Sequence, residues 1–216
     1  MSADGLRGYH ATRLAPDPKR NVVWRTLVES HFQRLIPEQG CVLDIGAGHC
    51  QFINHVRARR RVAVDMWEGF GAFAGPGVEA VVAPAAGLEF LDDGSVDFAF
   101  ASNLFEHLHQ PDFAEVLAML RRKLVAGGTL NILQPNFRYC AAEYFDDYTH
   151  VAIWSHVSLA DFLEANGFEV IEVQPRFLPL TVKSRLPVWP VLIRAYLASP
   201  VKPMGKQMLL RARVRG

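Results

Sequence analysis

Cysteine is scarce in this 216-residue chain, with Cys41, Cys50 and Cys140 its three examples. An odd number without paired spacing excludes a disulfide framework, a zinc ribbon and a Cys-x-x-Cys redox pair, so free thiols in a reducing compartment are expected. Long apolar runs are lacking too. The longest near the C-terminus, Leu186 to Ile193, contains Pro187 and Pro190 and falls far short of the ~20 residues that cross a bilayer. The opening stretch from Met1 to Arg20 has no apolar block of the signal-peptide kind, which predicts a cytoplasmic protein. Internal repeats and low-complexity segments are absent. The most uneven absence is of acidic residues: none follows Glu172, whereas nine basic side chains lie between Arg176 and Gly216. The formal net charge of +1 therefore hides an acidic body joined to a basic tail.

Half of the residues are hydrophobic and 21% are charged, the proportions of a packed globular chain. The length suits one sizeable α/β core better than two. The expected organisation is a single domain over 1–216, with an N-terminal helical segment (1–38), a core (39–175) and a basic, apolar extension (176–216) that includes the last strand. Trp24, Leu27, Val28, Phe32 and Leu35 recur at spacings of three and four before Pro37, which predicts a helix over 21–36. An apolar strand over 41–45 runs into Gly46-Ala47-Gly48, and a helix is expected over 51–59. Further strands are predicted over 62–65, 78–83, 96–101, 129–133, 168–173 and 207–214, with a Gly- and Pro-rich loop over 69–77. Helices are predicted from Asp112 until Gly127-Gly128, and from a cap at Ser158 to Gly167. Strands separated by helices form a mostly parallel sheet covered on both faces, and such sheets bind ligands at the carboxyl ends of their central strands.

The bend after the first strand carries the most specific signal. Gly46 and Gly48 lack side chains, so the backbone can turn sharply and approach a ligand, and a helix starting just beyond would present unpaired N–H groups. Asp65 closes the second strand about 20 residues after Asp44, the position from which a carboxylate accepts hydrogen bonds from vicinal ribose hydroxyls. Val42-Leu-Asp-Ile-Gly-Ala-Gly48 resembles the glycine motif of class I S-adenosylmethionine (SAM)-dependent methyltransferases. Asp65-Met66 stands where that family keeps an acidic residue for the ribose. Ser102-Asn-Leu-Phe-Glu-His-Leu108 is similar to its segment after strand four, and Gly127-Gly128-Thr129-Leu130 to its turn before strand five. The resemblance implies a Rossmann-like three-layer α/β sandwich with a seven-stranded, mostly parallel sheet whose last strand is antiparallel. It also implies SAM as cofactor, contacted by Asp44, Gly46, Ala47, Gly48, Asp65, Met66, Ser102 and Asn103. Asp44 would face the ammonium of the methionine moiety directly or through water. The family usually offers an acidic residue to adenine after strand three; here Ala83-Pro84-Ala85-Ala86 stands instead, and a backbone carbonyl or Glu89 is the substitute.

A nicotinamide- or flavin-dependent oxidoreductase is the competing reading, because the dinucleotide fingerprint G-x-G-x-x-G/A shares the first two glycines. The third position here is Gln51, whose long side chain obstructs the close helix-to-strand packing that a small residue permits.

After strand five come Gln134-Pro-Asn-Phe-Arg-Tyr139 and Glu143-Tyr-Phe-Asp-Asp-Tyr-Thr-His150. This dense mixture of polar and aromatic side chains is the expected acceptor lid. Its Pro-Asn-x-Arg-Tyr and Asp-x-Tyr-Thr-His patterns resemble methyltransferases of bacterial polysaccharide and lipopolysaccharide assembly. That resemblance implies O-methylation of a saccharide or other small polar acceptor in cell-envelope biosynthesis. Asn136, Arg138 and Tyr139 are expected substrate contacts. His150, His107 and Asp147 are the candidate bases, His150 leading because it lies in the lid, with Tyr148 and Arg138 orienting the acceptor. His107 reads equally well as a plain helix residue, and the other histidines as surface or core residues. Glu106, His107, His109, Asp146, Asp147 and His150 show no ligand spacing such as His-Glu-x-x-His, so no metal is expected.

The tail mixes Lys183, Arg185 and Arg194 with Trp189, Tyr196 and aliphatic residues. One reading is a peripheral membrane segment serving a lipid-linked acceptor, each cation adding about 1 kcal/mol at an anionic surface. The other is a cap packed on the sheet, which prolines 187, 190, 200 and 203 favour by forbidding a long helix. The acidic body argues against nucleic acid as partner. A non-catalytic SAM-binding subunit that docks on a partner through this tail is the remaining alternative. No oligomeric state is legible.

Overall fold

The computed structural model describes residues 17–180 and 188–215. Lys183, Arg185 and Pro187, and the first part of the predicted N-terminal segment, lie outside the described residues. The chain enters through α1 (Pro18–Leu27), capped by Asp17, whose carboxylate accepts from the Lys19 N–H, and primed by Pro18 at the first helical position. It then loosens into a π turn over Val28–Phe32 and a 3-10 turn over Gln33–Leu35. The strands are β1 (Cys41–Ile45), β2 (Arg60–Asp65), β3 (Val78–Val82), β4 (Val96–Ser102), β5 (Leu124–Pro135), β6 (Phe168–Pro179) and β7 (Gly205–Val214). The helices after α1 are α2 (Gln110–Lys123), the single turn α3 (Phe137–Cys140), α4 (His156–Ala165) and α5 (Pro190–Ala198).

Seven strands form one sheet in the order β3-β2-β1-β4-β5-β7-β6. β1 to β5 pair in parallel, and β7 runs antiparallel to both β5 and β6. Leu43, Ile45, Val62, Ala99, Leu130 and Ile132 pack on one face against Phe113, Val116, Leu117 and Leu120 of α2 and Leu159 and Leu163 of α4. Val42, Ala63, Phe98, Phe100 and Leu133 pack on the other against Leu27, Val28 and Phe32, with Ile193 and Leu197 of α5 joining them. The basic extension is thus partly a cap on the sheet, as one of its two readings held. No helix among the described residues is long and apolar enough to cross a membrane. Because β1 lies between β2 and β4, the chain leaves it in one direction and later returns on its other side, which opens a crevice at the carboxyl ends of these strands.

Three expectations are corrected. The helix over 51–59 does not form; turns and a single 3-10 turn over Ile53–His55 take its place. Cys50 adopts φ +54°. The Asn54 amide bonds to Phe73 O and the Gly75 N–H at 2.8 and 2.7 Å, and the Gln33 amide brackets the backbone of Arg57 at 2.9 and 2.8 Å. Side-chain bonds thus hold this backbone out of a helix. α2 stops at Lys123 instead of Gly127, because Gly94 N–H and Ser95 N–H bond the last carbonyls, of Arg122 and Lys123. The Lys123 amine is tied to Leu91 O at 2.6 Å and Asp93 at 2.7 Å. The cap of α4 is Ser155, reciprocally bonded to Ser158 at the third helical position, rather than Ser158 itself.

Candidate active site

The crevice begins at the glycine bend. Gly46 and Gly48 have φ of +69° and +50°, backbone that side chains disfavour. The N–H groups of Gly46 and Ala47 both donate to Val64 O, at 2.8 and 3.1 Å, which pins the end of β1 to β2. A Cβ at Gly46 would stand 3.0 Å from Leu104 Cδ1, whereas one at Gly48 would meet nothing within 4 Å. The space beside Gly48 is therefore open to a ligand. Asp65 organises the bend from the end of β2: its Oδ2 accepts from the Gly48 N–H at 2.8 Å and its Oδ1 from the Trp67 N–H at 2.9 Å. Each oxygen keeps a second lone pair for a vicinal diol.

Below the bend, Asp44 is 3% exposed. Burial, reinforced by the charge of Asp65 and opposed by a backbone hydrogen bond at Ile53, pushes its carboxyl up to about 8. An ammonium at the crevice would draw that proton off. The three free thiols are all buried, and burial pushes Cys50 up to about 12 and Cys140 to about 11, so none is a nucleophile near neutrality. A ring wall of His49, Trp67 and Phe73 stands beside the bend, His49 4.3 Å from Phe73 and 5.6 Å from Trp67. Met66 is exposed beside it. Beyond β3 the chain turns at Pro84–Gly87 and Glu89 is exposed.

At the end of β4, Asn103 takes φ +50°, a strained backbone of the kind found at ligand sites. Its N–H donates to Leu133 O at 2.8 Å, its amide nitrogen to Ser102 Oγ at 3.2 Å, and its oxygen accepts from Gln207 on β7 at 2.9 Å. These bonds hold Ser102 and Asn103 at the mouth between β1 and β5. The residues implied as cofactor contacts thus converge on one rim, although the helix N-terminus expected there is missing. The fit to SAM rests on the open side of Gly48 and the twin acceptors of Asp65.

Immediately beyond lies a 3-10 turn, Phe105–His107. The returning lid docks on it: Val151 N–H and Ala152 N–H both donate to Glu106 O, and the Trp154 indole donates to Phe105 O at 3.2 Å. This brings His107 and His150 together, ring centroids 4.9 Å apart. His107 Nδ1 lies 3.2 Å from Thr149 O and 3.0 Å from Thr149 Oγ1, and that hydroxyl bonds Asp147 Oδ1 at 2.5 Å. Since Thr149 O only accepts, Nδ1 carries the proton and Nε2 the lone pair. Burial, with His150 adding to it, lowers His107 to about 4 and keeps it neutral. Glu106 sits behind the pair at 1% exposure, raised to about 8 by burial, and neither of its carboxylate oxygens has a partner among the described residues. One ligand atom from each of Glu106, His107 and His150 lies within 4.8 Å of the others. Spacing along the chain could not disclose this grouping, because the two imidazoles arrive from separate elements.

The other lid residues divide. Tyr148 is 69% exposed and Arg138 is exposed, both available to an acceptor. Tyr139 stacks on His156 at 6.2 Å with the Arg176 guanidinium 4.9 Å from its ring. Asn136 is corrected from substrate contact to brace: it is fully buried, its amide bonds Pro175 O and His156 Nδ1 at 2.8 and 3.0 Å, and its oxygen caps α3 at Arg138. Two polar groups at this end escaped the sequence reading. Gln207 fixes Asn103, and Gln134 is wholly buried with both amide atoms unpartnered among the described residues. No local pattern marks either one.

Comparison with known proteins bears on the same residues. No curated protein matches the chain. Among solved structures, a SAM-dependent methyltransferase from Archaeoglobus fulgidus is similar with a TM-score of 0.67 and 20% identity, over 96% of this chain and 98% of that one. The methyltransferase in a complex with the Trm112 methyltransferase activator of Haloferax volcanii matches with a TM-score of 0.67 and 18% identity, over 99% and 96%. A geranyl diphosphate C-methyltransferase from Streptomyces coelicolor, solved with Mg2+, geranyl diphosphate and S-adenosyl-L-homocysteine, matches with a TM-score of 0.63 and 14% identity, over 96% and 86%. These share the fold. A family model described as a methyltransferase domain matches residues 18–173, most of the chain and every strand from β1 to β5, and the chain belongs to that methyltransferase family.

Proposed function

We propose that the protein transfers the methyl group of SAM to a hydroxyl of a saccharide or similar small polar acceptor in cell-envelope biosynthesis. When bound, SAM supplies a sulfonium-activated methyl group. Asp65 binds the ribose diol, Asp44 answers the ammonium, and the bend at Gly48 admits the nucleoside. The observation that carries the acceptor assignment is the His107–His150 pair beside the end of β4, on a lid that also exposes Tyr148 and Arg138. Such a rim offers hydrogen-bond partners and an aromatic face to a polyhydroxylated ligand. Holding hydroxyl and methyl in line is worth up to about 7–11 kcal/mol. Proton removal at the imidazole pair, His150 leading, adds roughly 10²- to 10⁴-fold.

The test is methyl transfer from labelled SAM to envelope saccharide fractions by the purified chain. Label in the saccharide, released as a methyl ether on hydrolysis, is the expected result. Label appearing only in protein, nucleic acid or lipid tails rejects the acceptor class.

A second reading is a subunit that acts with a partner. The start of α5 exposes Val191 and Leu192, with Trp189 (58%) just before it, and the Haloferax neighbour was solved with an activator. The same strip, beside the basic tail, is also what a membrane carrying a lipid-linked acceptor would meet. Activity that appears only on adding a second protein, or only on anionic vesicles, separates these from the self-sufficient enzyme.

A further inference from the structure

We infer that Glu106, His107 and His150 form a site for one divalent transition-metal ion at the acceptor end of the crevice. The proposal deepens the methyl-transfer reading and rests on it only for the ion's purpose; the site itself is read from the side chains. Two imidazoles and one carboxylate are a donor set for ions of the zinc type, with positions left over for water or substrate. The ligand atoms lie within 4.8 Å of one another. Ligands at about 2.0–2.2 Å from a shared ion stand at most about 4.4 Å apart, so small side-chain rotations close the set.

Two further observations point the same way. The Glu106 carboxylate is buried, and neither of its oxygens has a protein partner among the described residues. A carboxyl group placed so is costly unless something answers it, and nitrogens of two imidazoles lie beside it. His107 is also held as metal-binding imidazoles are held. Its Nδ1–H donates to Thr149, whose hydroxyl is anchored on Asp147, and such outer contacts fix the ring and its tautomer. Both imidazoles are half-buried.

An ion here would take the acceptor oxygen into an open position and make its hydroxyl more acidic. The hydroxyl proton then leaves to water at the mouth. The oxygen lone pair forms the new bond to the methyl carbon, and the electron pair of the broken sulfur–carbon bond returns to sulfur, giving S-adenosylhomocysteine. This refines the proton removal assigned above to the imidazole pair, which the two rings then exert through the ion.

The test is calorimetric titration of chelator-treated protein with zinc chloride, paired with cobalt(II), whose visible absorption reports tetrahedral or five-coordinate nitrogen and oxygen ligation. One ion per chain is expected, weakened about 100-fold or more in Glu106→Gln and in His150→Ala and unchanged in His109→Ala, an exposed histidine outside the cluster. The absence of saturable one-to-one binding overturns the proposal, as does wild-type affinity in both cluster variants. Should Glu106→Gln fail to fold, His150→Ala decides. S-adenosylhomocysteine binding by the metal-free chain distinguishes the two readings: its loss removes the methyltransferase assignment, while its retention without zinc binding removes only the metal.

Discussion

Gly48 and Asp65 are joined by a 2.8 Å hydrogen bond from the backbone N–H of one to Oδ2 of the other. In the proposed reading one of these residues admits the nucleoside and the other grips its sugar, so the two act as one mechanical unit. Replacing Asp65 by Asn keeps an acceptor and removes the charge; replacing it by Ala removes both. Charge-assisted hydrogen bonds of this kind contribute about 1.5–3 kcal/mol, so calorimetry with S-adenosylhomocysteine should find affinity reduced about tenfold in Asp65→Asn and about 100-fold in Asp65→Ala. Equal affinities in all three proteins would remove Asp65 from the site.

The two glycines should fail differently. Both have positive φ, and a Cβ in that region costs roughly 1–2 kcal/mol. Only at Gly46 does the added atom also press on protein, at Leu104. Gly46→Ala should lower the melting temperature more than Gly48→Ala, while Gly48→Ala should lose ligand affinity at least as strongly, its Cβ standing where the nucleoside enters. The opposite ranking in both measurements would place the ligand elsewhere.

Asp44 gives a pH dependence of definite sign. Its folded value of about 8 lies above the ordinary ~3.9 of an unfolded aspartate. The folded state therefore holds a proton that the unfolded state has lost, and this group's contribution makes stability fall as pH rises from about 4 to about 8. An ammonium-bearing ligand prefers the ionised carboxylate, so SAM affinity should climb between pH 6 and 8 and level off above. Asp44→Asn should flatten both profiles and raise the stability of the ligand-free protein at pH 8. A flat wild-type affinity profile would contradict this.

Lys123 offers a test away from the crevice. Its side chain is 4% exposed and its amine bonds Leu91 O and Asp93, fastening the end of α2 to the turn before β4. Lys123→Ala leaves that carbonyl unanswered, and urea denaturation should show a loss of about 1.5–3 kcal/mol with ligand affinity preserved. A loss under about 0.5 kcal/mol would mean that water replaces the amine without cost.

What the sequence disclosed follows the range of the interactions involved. The strands were legible because apolar runs such as Val42–Ile45 and Phe98–Ala101 report burial on both faces directly, and the bend at Gly46 and Gly48 because positive φ restricts residue choice there. The missing helix after β1 was not legible: Gln33, Asn54 and Phe73 settle that segment through contacts between separate elements. The same reason hid the brace role of Asn136, the bond from Gln207 to Asn103, and the grouping of Glu106 with His107 and His150. Each residue was visible in the chain, but its partner was chosen by the sheet order.

The most direct measurement is a crystal structure with S-adenosylhomocysteine bound. The account predicts ribose hydroxyls within hydrogen-bonding distance of both Asp65 oxygens, the nucleoside passing over Gly48 without a side chain between, and the amino group near Asp44. A nucleoside found away from the Gly46–Gly48 bend, with Asp65 bonded to backbone alone, would contradict it.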